Sequence, residues 1–414
     1  MSTTTHDIDA IPDADELRRY RLEAREWLAE NMPPLDPRAD PNEQPKEHLK
    51  DLARRLYSGG YSGICFPEEV GGAGLTRSHH QAFCEEAAGY ELPIFLGNPG
   101  LSIIAPPIME FGTDRQKEHV AAMLRGERLF VQMMSEPTGG SDMAGALTRA
   151  DRDGDVWVLN GSKIWSSGAW RADWGLILVR TDWTVPKHQG LSLFLLDLSL
   201  PGITINNIKM VDGTEEFCEE FFDDAIIPAA NVVGEVDDGW TVATRLLFHE
   251  RSAVGGSSPY TQGRYRNTGD AGRARTKSIV ENAGRIGDPI AQQLVGQTEV
   301  LDLVQKALID RVRTGISSGH FPGPAGSLVR LFGGMAEVER TSIALELAGQ
   351  SALVWDADDP RGEGVEYIRR QASCLGGGST EMARNLISER VLDMPREHAA
   401  DRGVAFRDVK RNAR

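Results

Sequence analysis

The chain has 414 residues, 40% of them apolar, which is enough for two or three domains with substantial cores and excludes a disordered polymer. Its 61 acidic residues outnumber 45 basic ones, and the net charge of −16 argues against nucleic acid or an anionic membrane surface as a partner. No run approaches the roughly 20 apolar residues of a membrane span, and the polar, acidic start is not a signal peptide, so a cytoplasmic location is expected.

Residues 13–32 carry Leu17, Tyr20, Leu22, Trp27 and Leu28 at helical spacing, and Pro33-Pro34 stops the run. Helical spacing returns over 47–57, 78–91 and 114–125, interrupted by the Gly-rich stretch Phe66 to Gly74. Residues 1–127 therefore read as an α-helical domain. From Leu129 the period changes to short β-branched and aromatic runs divided by turn residues, which predicts a middle β-sandwich or barrel over 128–236. Its strands are expected at Val156 to Leu159, Leu176 to Arg180, Leu191 to Leu196, Ile203 to Ile208 and Glu216 to Phe222. Asn160-Gly161 is read as a two-residue hairpin turn.

A second helical section, 237–399, begins with Trp240 to Arg251 and continues over 291–314, 325–355 and 380–392. The stretch Gly255 to Arg273 is too rich in Gly, Ser and Asn for a confident helix interior and reads as a loop or insertion. Residues 400–414 form a charged tail that is expected to fray. Helices, then strands, then helices make an α+β multidomain chain and exclude a doubly wound nucleotide fold. Cys65, Cys84, Cys218 and Cys374 lie far apart, so buried free thiols are expected rather than a zinc site or a disulfide framework, and no metal cluster is indicated.

The chemistry concentrates in two segments, Ser135-Glu136-Pro137-Thr138-Gly139-Gly140-Ser141-Asp142 and Asn160-Gly161-Ser162-Lys163-Ile164-Trp165-Ser166-Ser167-Gly168. A strand end offering amides and a hydroxyl beside an aromatic side chain can hydrogen-bond the edge of a flat cofactor ring and cover its face. The plainer reading of the same residues is a turn at Gly139-Gly140 and a core aromatic at Trp165. Gly315-Ile316-Ser317-Ser318-Gly319 matches the GxSxG nucleophile pattern, but a helical run precedes it where the elbow needs a strand, so the match is set aside.

These two segments resemble the flavin signature of the acyl-CoA dehydrogenase family, usually written TEPGAGSD and NGxKxWITNG. Phe66 to Gly74, Phe111 to Glu127 and Gly376 to Glu397 resemble further family segments in the family's order. The resemblance implies a helical domain, a β domain and a helical bundle binding FAD. On it, Gln132, Met134 and Ser135 hold the flavin pyrimidine, with Gly140 beside them. Ser141 contacts both FAD and the CoA chain. Trp165, Ser166 and Ser167 border the flavin ring, Ser167 replacing the usual Thr, and Gly378, Ser379, Thr380 and Glu381 form a loop that meets the cofactor.

Removing a proton α to a thioester while hydride leaves the β-carbon requires a carboxylate facing the substrate. Many family members carry that Glu just before the last Gly-Thr or Gly-Ser pair, where this chain has Gly377. Another branch places it early in the second helical section before an Arg, and Glu250-Arg251 resembles that arrangement. Glu250 is thus the expected base, with Arg251 and the space at Gly377 on the substrate side. The plainer reading of Glu250 is a surface carboxylate, although Arg245 is five residues away and on another helix face. Arg251 reads equally as a structural ion-pair partner, and His249 as packing. The family's Arg-x-x-Phe-Gly cofactor segment is not found, and Ala348-Gly349-Gln350 stands where Gln-x-x-Gly-Gly is common.

The resemblance implies an acyl-CoA or acyl-carrier thioester as substrate and an electron-transfer flavoprotein as acceptor. It also implies a homo-oligomer, dimer or tetramer, or a heteromer of the kind found in the branch acting on steroid side chains. Two alternatives stand beside it: a flavin monooxygenase or oxidase on the same fold, and a non-catalytic subunit of a heteromeric dehydrogenase.

Overall fold

A computed structural model describes residues 7–36, 44–94, 97–254, 256, 258–263, 270–354 and 362–410. The first region is helical: α1 (Ala14–Asn31), α2 (Lys46–Ser58), α3 (Arg77–Glu86), α4 (Gly97–Pro99), α5 (Ala105–Phe111) and α6 (Asp114–Leu124). Local chemistry sets their starts. The Asp13 carboxylate accepts the amides of Asp15 and Glu16 at the head of α1, and Thr113 with Gln116 forms a reciprocal cap on α6. A π-helical turn, Gly100–Ile104, joins α4 to α5. The sequence reading passes over 97–111 because Pro99, Pro106 and Pro107 and the glycines break its helical signal.

The middle region is one connected mixed sheet of eight strands: β1 (Phe130–Met133), β2 (Arg149–Asp153), β3 (Val156–Ser167), β4 (Trp174–Arg180), β5 (Leu191–Asp197), β6 (Ile203–Ile208), β7 (Phe217–Pro228) and β8 (Val232–Val233). Strand order is β6-β7-β3-β2-β4-β5-β8, and β1 pairs in parallel with β4. Its inner face gathers Met133, Trp157, Leu159, Ile177, Phe194, Phe222 and Ile227 around one buried cluster. The hairpin expected at Asn160-Gly161 is absent: β3 runs straight through both residues, and the turn from β2 falls at Gly154. The register instead shifts between Leu159 and Gly161. A Cβ on Gly161, at φ +137, would stand 2.7 Å from Thr148 Cα, so glycine is needed here for close approach within a bulge rather than for a turn.

The last region holds α7 (Gly239–Val254), α8 (Asp270–Asn282), α9 (Pro289–Ser317), α10 (Gly326–Ala348), α11 (Glu363–Arg369) and α12 (Thr380–Arg390). Within the stretch read as a loop, Gly255, Ser257 and residues 264–269 lie outside the described residues, while α8 begins at Asp270. The tail is not frayed over 401–409: Phe406 is buried against Trp183 and under the Arg180 guanidinium, and its amide donates to Val185 O at 2.8 Å. One aromatic side chain among charges is enough to dock it. Residues 411–414 lie outside the described residues.

One core joins the first two regions to α7. It contains Phe66, Ile104, Ile108 and Leu124 from the helices, Phe130, Leu176 and Leu193 from the sheet, and Val242, Ala243, Leu246 and Ala253 from α7. The bundle behind α7 has its own smaller core of Ile279, Val280, Ala291, Ile343, Leu347 and Ala348. Among the described residues, no helix is long and apolar enough to cross a membrane.

Candidate active site

Strand alternation on β1 decides which residues can meet α7. Val131 and Met133 enter the core inside the sheet, while Phe130 and Met134 enter the core shared with the helices. Gln132 lies on the second face. On α7, Val242, Ala243, Leu246, His249 and Ala253 form a buried stripe at helical spacing, and Glu250 stands four residues after Leu246 on that stripe. The two elements meet polar to polar: Gln132 Nε2 donates to Glu250 Oε1 at 3.3 Å, and Gln132 Oε1 is buried without a partner among the described residues.

Burial pushes the Glu250 carboxyl above the usual carboxylate range, only partly opposed by the Gln132 amide, Arg251 and Arg330. Arg245 does not neutralise it. That guanidinium grips Glu110 at 2.6 and 2.7 Å, and His249 joins the same carboxylate at 3.0 Å, so His249 is a packing residue with its own partner. Arg251 is half-buried and makes no ion pair or hydrogen bond among the described residues, which leaves its guanidinium free for an anionic or carbonyl group.

Arg330, on α10, is a site residue that the sequence reading missed. Its two terminal nitrogens donate to Ser373 O at 2.8 Å and Gly376 O at 2.7 Å, while Nε is buried and unpartnered among the described residues. Its charge acts on Glu250, and a Cβ at Gly377 would come within 3.8 Å of that Nε. A lone arginine among apolar residues, Leu328-Val329-Arg330-Leu331-Phe332, was the available signal. Gly377 and Gly378 have φ of +72 and +89, so a left-handed backbone, rather than lack of space, bars a side chain there. Ser379 spends its hydroxyl capping α12 by accepting the Met382 amide at 3.2 Å. Thr380 is buried, and Glu381 points outward to Arg384.

The second part of the site runs along the end of β1 and the end of β3. Ser135 O accepts the Ile164 amide at 3.0 Å, and a Cβ on Gly140 would lie 3.4 Å from Ser135 Oγ, so these segments are adjacent. Trp165 is not a core aromatic: the residue is 52% exposed, and its ring touches Phe217 edge-on. Its φ is +67, at a register shift between Ile164 and Ser166, and a bulky residue held left-handed at a bulge marks a site where a side chain has been re-aimed. The hydroxyls of Ser135, Ser141 and Ser167 make no hydrogen bond among the described residues, and Ser141 is exposed. Ser166 departs from expectation. The bulge turns its hydroxyl inward, where it donates to Glu220 at 3.1 Å, so that group has nothing to offer a cofactor.

A cavity of about 430 Å³ lined by Lys46, Arg128, Trp170 and Trp174 contains none of these residues. The open Trp165 ring, the hydroxyls and the Gln132 oxygen lie instead along the ends of β1 and β3, and such donors and acceptors beside an exposed aromatic suit a flat heteroaromatic ring.

Family models described as the acyl-CoA dehydrogenase N-terminal, middle and C-terminal domains match residues 14–127, 132–225 and 237–392. The chain belongs to the acyl-CoA dehydrogenase family. It is 32% identical to acyl-CoA dehydrogenase IpdE1 of Mycobacterium tuberculosis, an alignment covering 92% of this chain and 99% of that one. Two solved relatives are also similar. A structure titled Tcur3481-Tcur3483 steroid ACAD matches with a TM-score of 0.75 at 25% identity over 93% of this chain and 99% of that one. The ChsE4-ChsE5 complex from Mycobacterium tuberculosis matches with 0.71 at 26% identity over 94% and 100%. Acyl-CoA dehydrogenases are flavoprotein oxidoreductases, and the donors described above fit such a group.

Proposed function

We propose that this acyl-CoA dehydrogenase converts an acyl-CoA thioester to its trans-2-enoyl form, with Glu250 taking the α-proton. The observation that carries the reading is the position of Glu250 on the apolar stripe of α7, bonded to Gln132 and raised in pKa by burial. A carboxylate in such a setting is a stronger base than one in water and suits proton abstraction near neutrality. Gln132 orients it from the strand side. Arg330 offsets its charge from the bundle side and fixes the turn before Gly377, a position that supplies no acid of its own.

FAD, when bound, would supply the acceptor for the β-hydride. Gln132, Met134, Ser135, Gly140 and Ser141 would hold it along the β1 strand end, Trp165 and Ser167 beside its ring, and Gly378 to Glu381 at the head of α12. Arg251 and Ser141 would meet the thioester and CoA chain, and electrons would leave to an electron-transfer flavoprotein.

Bulky acyl groups, steroid-derived ones among them, are the favoured substrates. Support comes from the relative titled a steroid enzyme and from the absence of a side chain at Gly377. The hyphenated pairs among the solved relatives and the apolar face of α9, where Val300, Leu303 and Val304 are exposed, support assembly with a second copy or a related chain. Anaerobic addition of a panel of acyl-CoAs to the purified yellow protein tests this: bleaching is expected with steroid-derived or branched thioesters. A protein that binds FAD and is bleached by none of the panel contradicts the reading.

A further inference from the structure

Beneath the strand end bearing Ser135 and the bulge bearing Trp165 lies a polar cluster sealed from solvent. Lys163 and Glu220 are fully buried, and Glu136 and Ser166 nearly so. Lys163 Nζ pairs with Glu136 Oε1 at 2.9 Å and donates to Met134 O at 3.1 Å, while Glu136 also accepts the amides of Leu147 and Thr148 at 2.6 and 2.9 Å. Glu136 is therefore satisfied. Glu220 stands directly across from Lys163 in the β3–β7 register, yet among the described residues its only side-chain hydrogen-bond partner is Ser166, and Oε1 is buried with none.

Lys163 is spent on Glu136, and the buried Arg180 and Arg171 donate to backbone carbonyls, so an ionised Glu220 would be a buried negative charge with no ion pair among the described residues. One proton removes it. An unpartnered oxygen is tolerable on a neutral carboxyl and costly on a carboxylate, so the geometry puts that proton on Glu220 rather than on Glu136. Its neighbours agree: Lys163 and Ser166 face it from β3 and Ile205 from β6, and Cys218 and Glu219 flank it on β7. Arg180 acts on Lys163 and Arg171 on Cys218.

The bulge gives this charge balance a consequence. Trp165 is clamped on one side by the Ile164 amide bonded to Ser135 O and on the other by Ser166 bonded to Glu220. We propose that Glu220 is a positioning residue for the cofactor seat: neutral, it lies sealed behind Ser166 and the bulge that holds Trp165 left-handed and outward, and losing the proton leaves a buried charge that only hydration or a shift of that wall relieves. The inference rests on the reading of Trp165 as a wall of the flavin site. Burial pushes the Glu220 carboxyl up to about 7, against the pull of Ser166 and Lys163. A raised acid binds its proton more tightly in the folded state, so the seat weakens as pH rises through that value.

The test is the FAD dissociation constant of the flavin-stripped protein, with its tryptophan fluorescence, measured across neutral pH in wild type, Glu220→Gln, Ser166→Ala and Trp165→Ala. Wild type should bind FAD more weakly, by about threefold or more, as pH passes upward through the Glu220 transition. Glu220→Gln, neutral and of the same shape, should stay tight and lose the inflection in both readouts. Ser166→Ala removes the donor that favours the ionised form, so its inflection should move to higher pH, which keeps the test open should Glu220→Gln not fold. An inflection that survives in Glu220→Gln, or one that stays unmoved in Ser166→Ala if that is the variant that folds, overturns the inference, as does a flat wild-type curve. Unchanged FAD affinity in Trp165→Ala at every pH instead overturns the reading of Trp165 as the wall.

Discussion

The two sides that close on Glu250 are built differently. On one side α7, the early helices and the sheet share a single dry core, and Leu246 within it is fully buried one turn before the carboxylate. On the other, Arg330 and the glycine turn belong to a bundle with a small core of its own, whose α9 exposes Val300, Leu303 and Val304 to solvent. Leu303 is 61% exposed, an unusual state for a leucine beside two similar neighbours. Glu250 is thus set by close packing, while the opposite wall belongs to a body with an exposed apolar face. By sequence α7 opens the last region; by packing it belongs to the first two.

The sharpest way to break this contrast is to cut each side. Leu246→Ala leaves a cavity in the shared core and should cost about 2–5 kcal/mol in denaturant unfolding. Leu303→Ser should change the stability of the isolated chain by no more than about 0.5 kcal/mol yet lower the assembled mass in light scattering. Equal destabilisation by both, with mass unchanged, would show that the bundle face is ordinary core. The smallest effect is electrostatic. The Glu250 carboxyl lies above its ordinary value of 4.5, so folding stability should fall as pH climbs from that value through the raised one, while turnover rises over the same window as the base form appears. The wild-type minus Glu250→Gln difference isolates this titration from that of Glu220; a difference flat with pH contradicts it.

Much of this was legible along the chain, and the failures have physical causes. Ile203–Ile208 was bounded by its neighbouring turn residues, and α7 by its apolar spacing, because both patterns are local. Asn160-Gly161 misled because glycine serves close approach as readily as a turn, and only the passage of Thr148 behind Gly161 distinguishes them. Helices over 97–111 and 270–282 were hidden by Pro and Gly at their starts. At the site, Glu250, Gln132, Ser135 and Trp165 could be named from the family resemblance. Arg330, and the inward turn of Ser166 onto Glu220, could not: one depends on packing between α10 and a distant turn, the other on a bulge that reverses which face a hydroxyl meets.

The most direct test of the central claim is anaerobic reduction of the bound flavin by its best acyl-CoA in Glu250→Gln, followed by stopped-flow absorbance. Bleaching should slow by about 10²–10⁴-fold while the oxidised flavin spectrum and FAD content stay as in wild type. Bleaching at the wild-type rate would place the base on another residue.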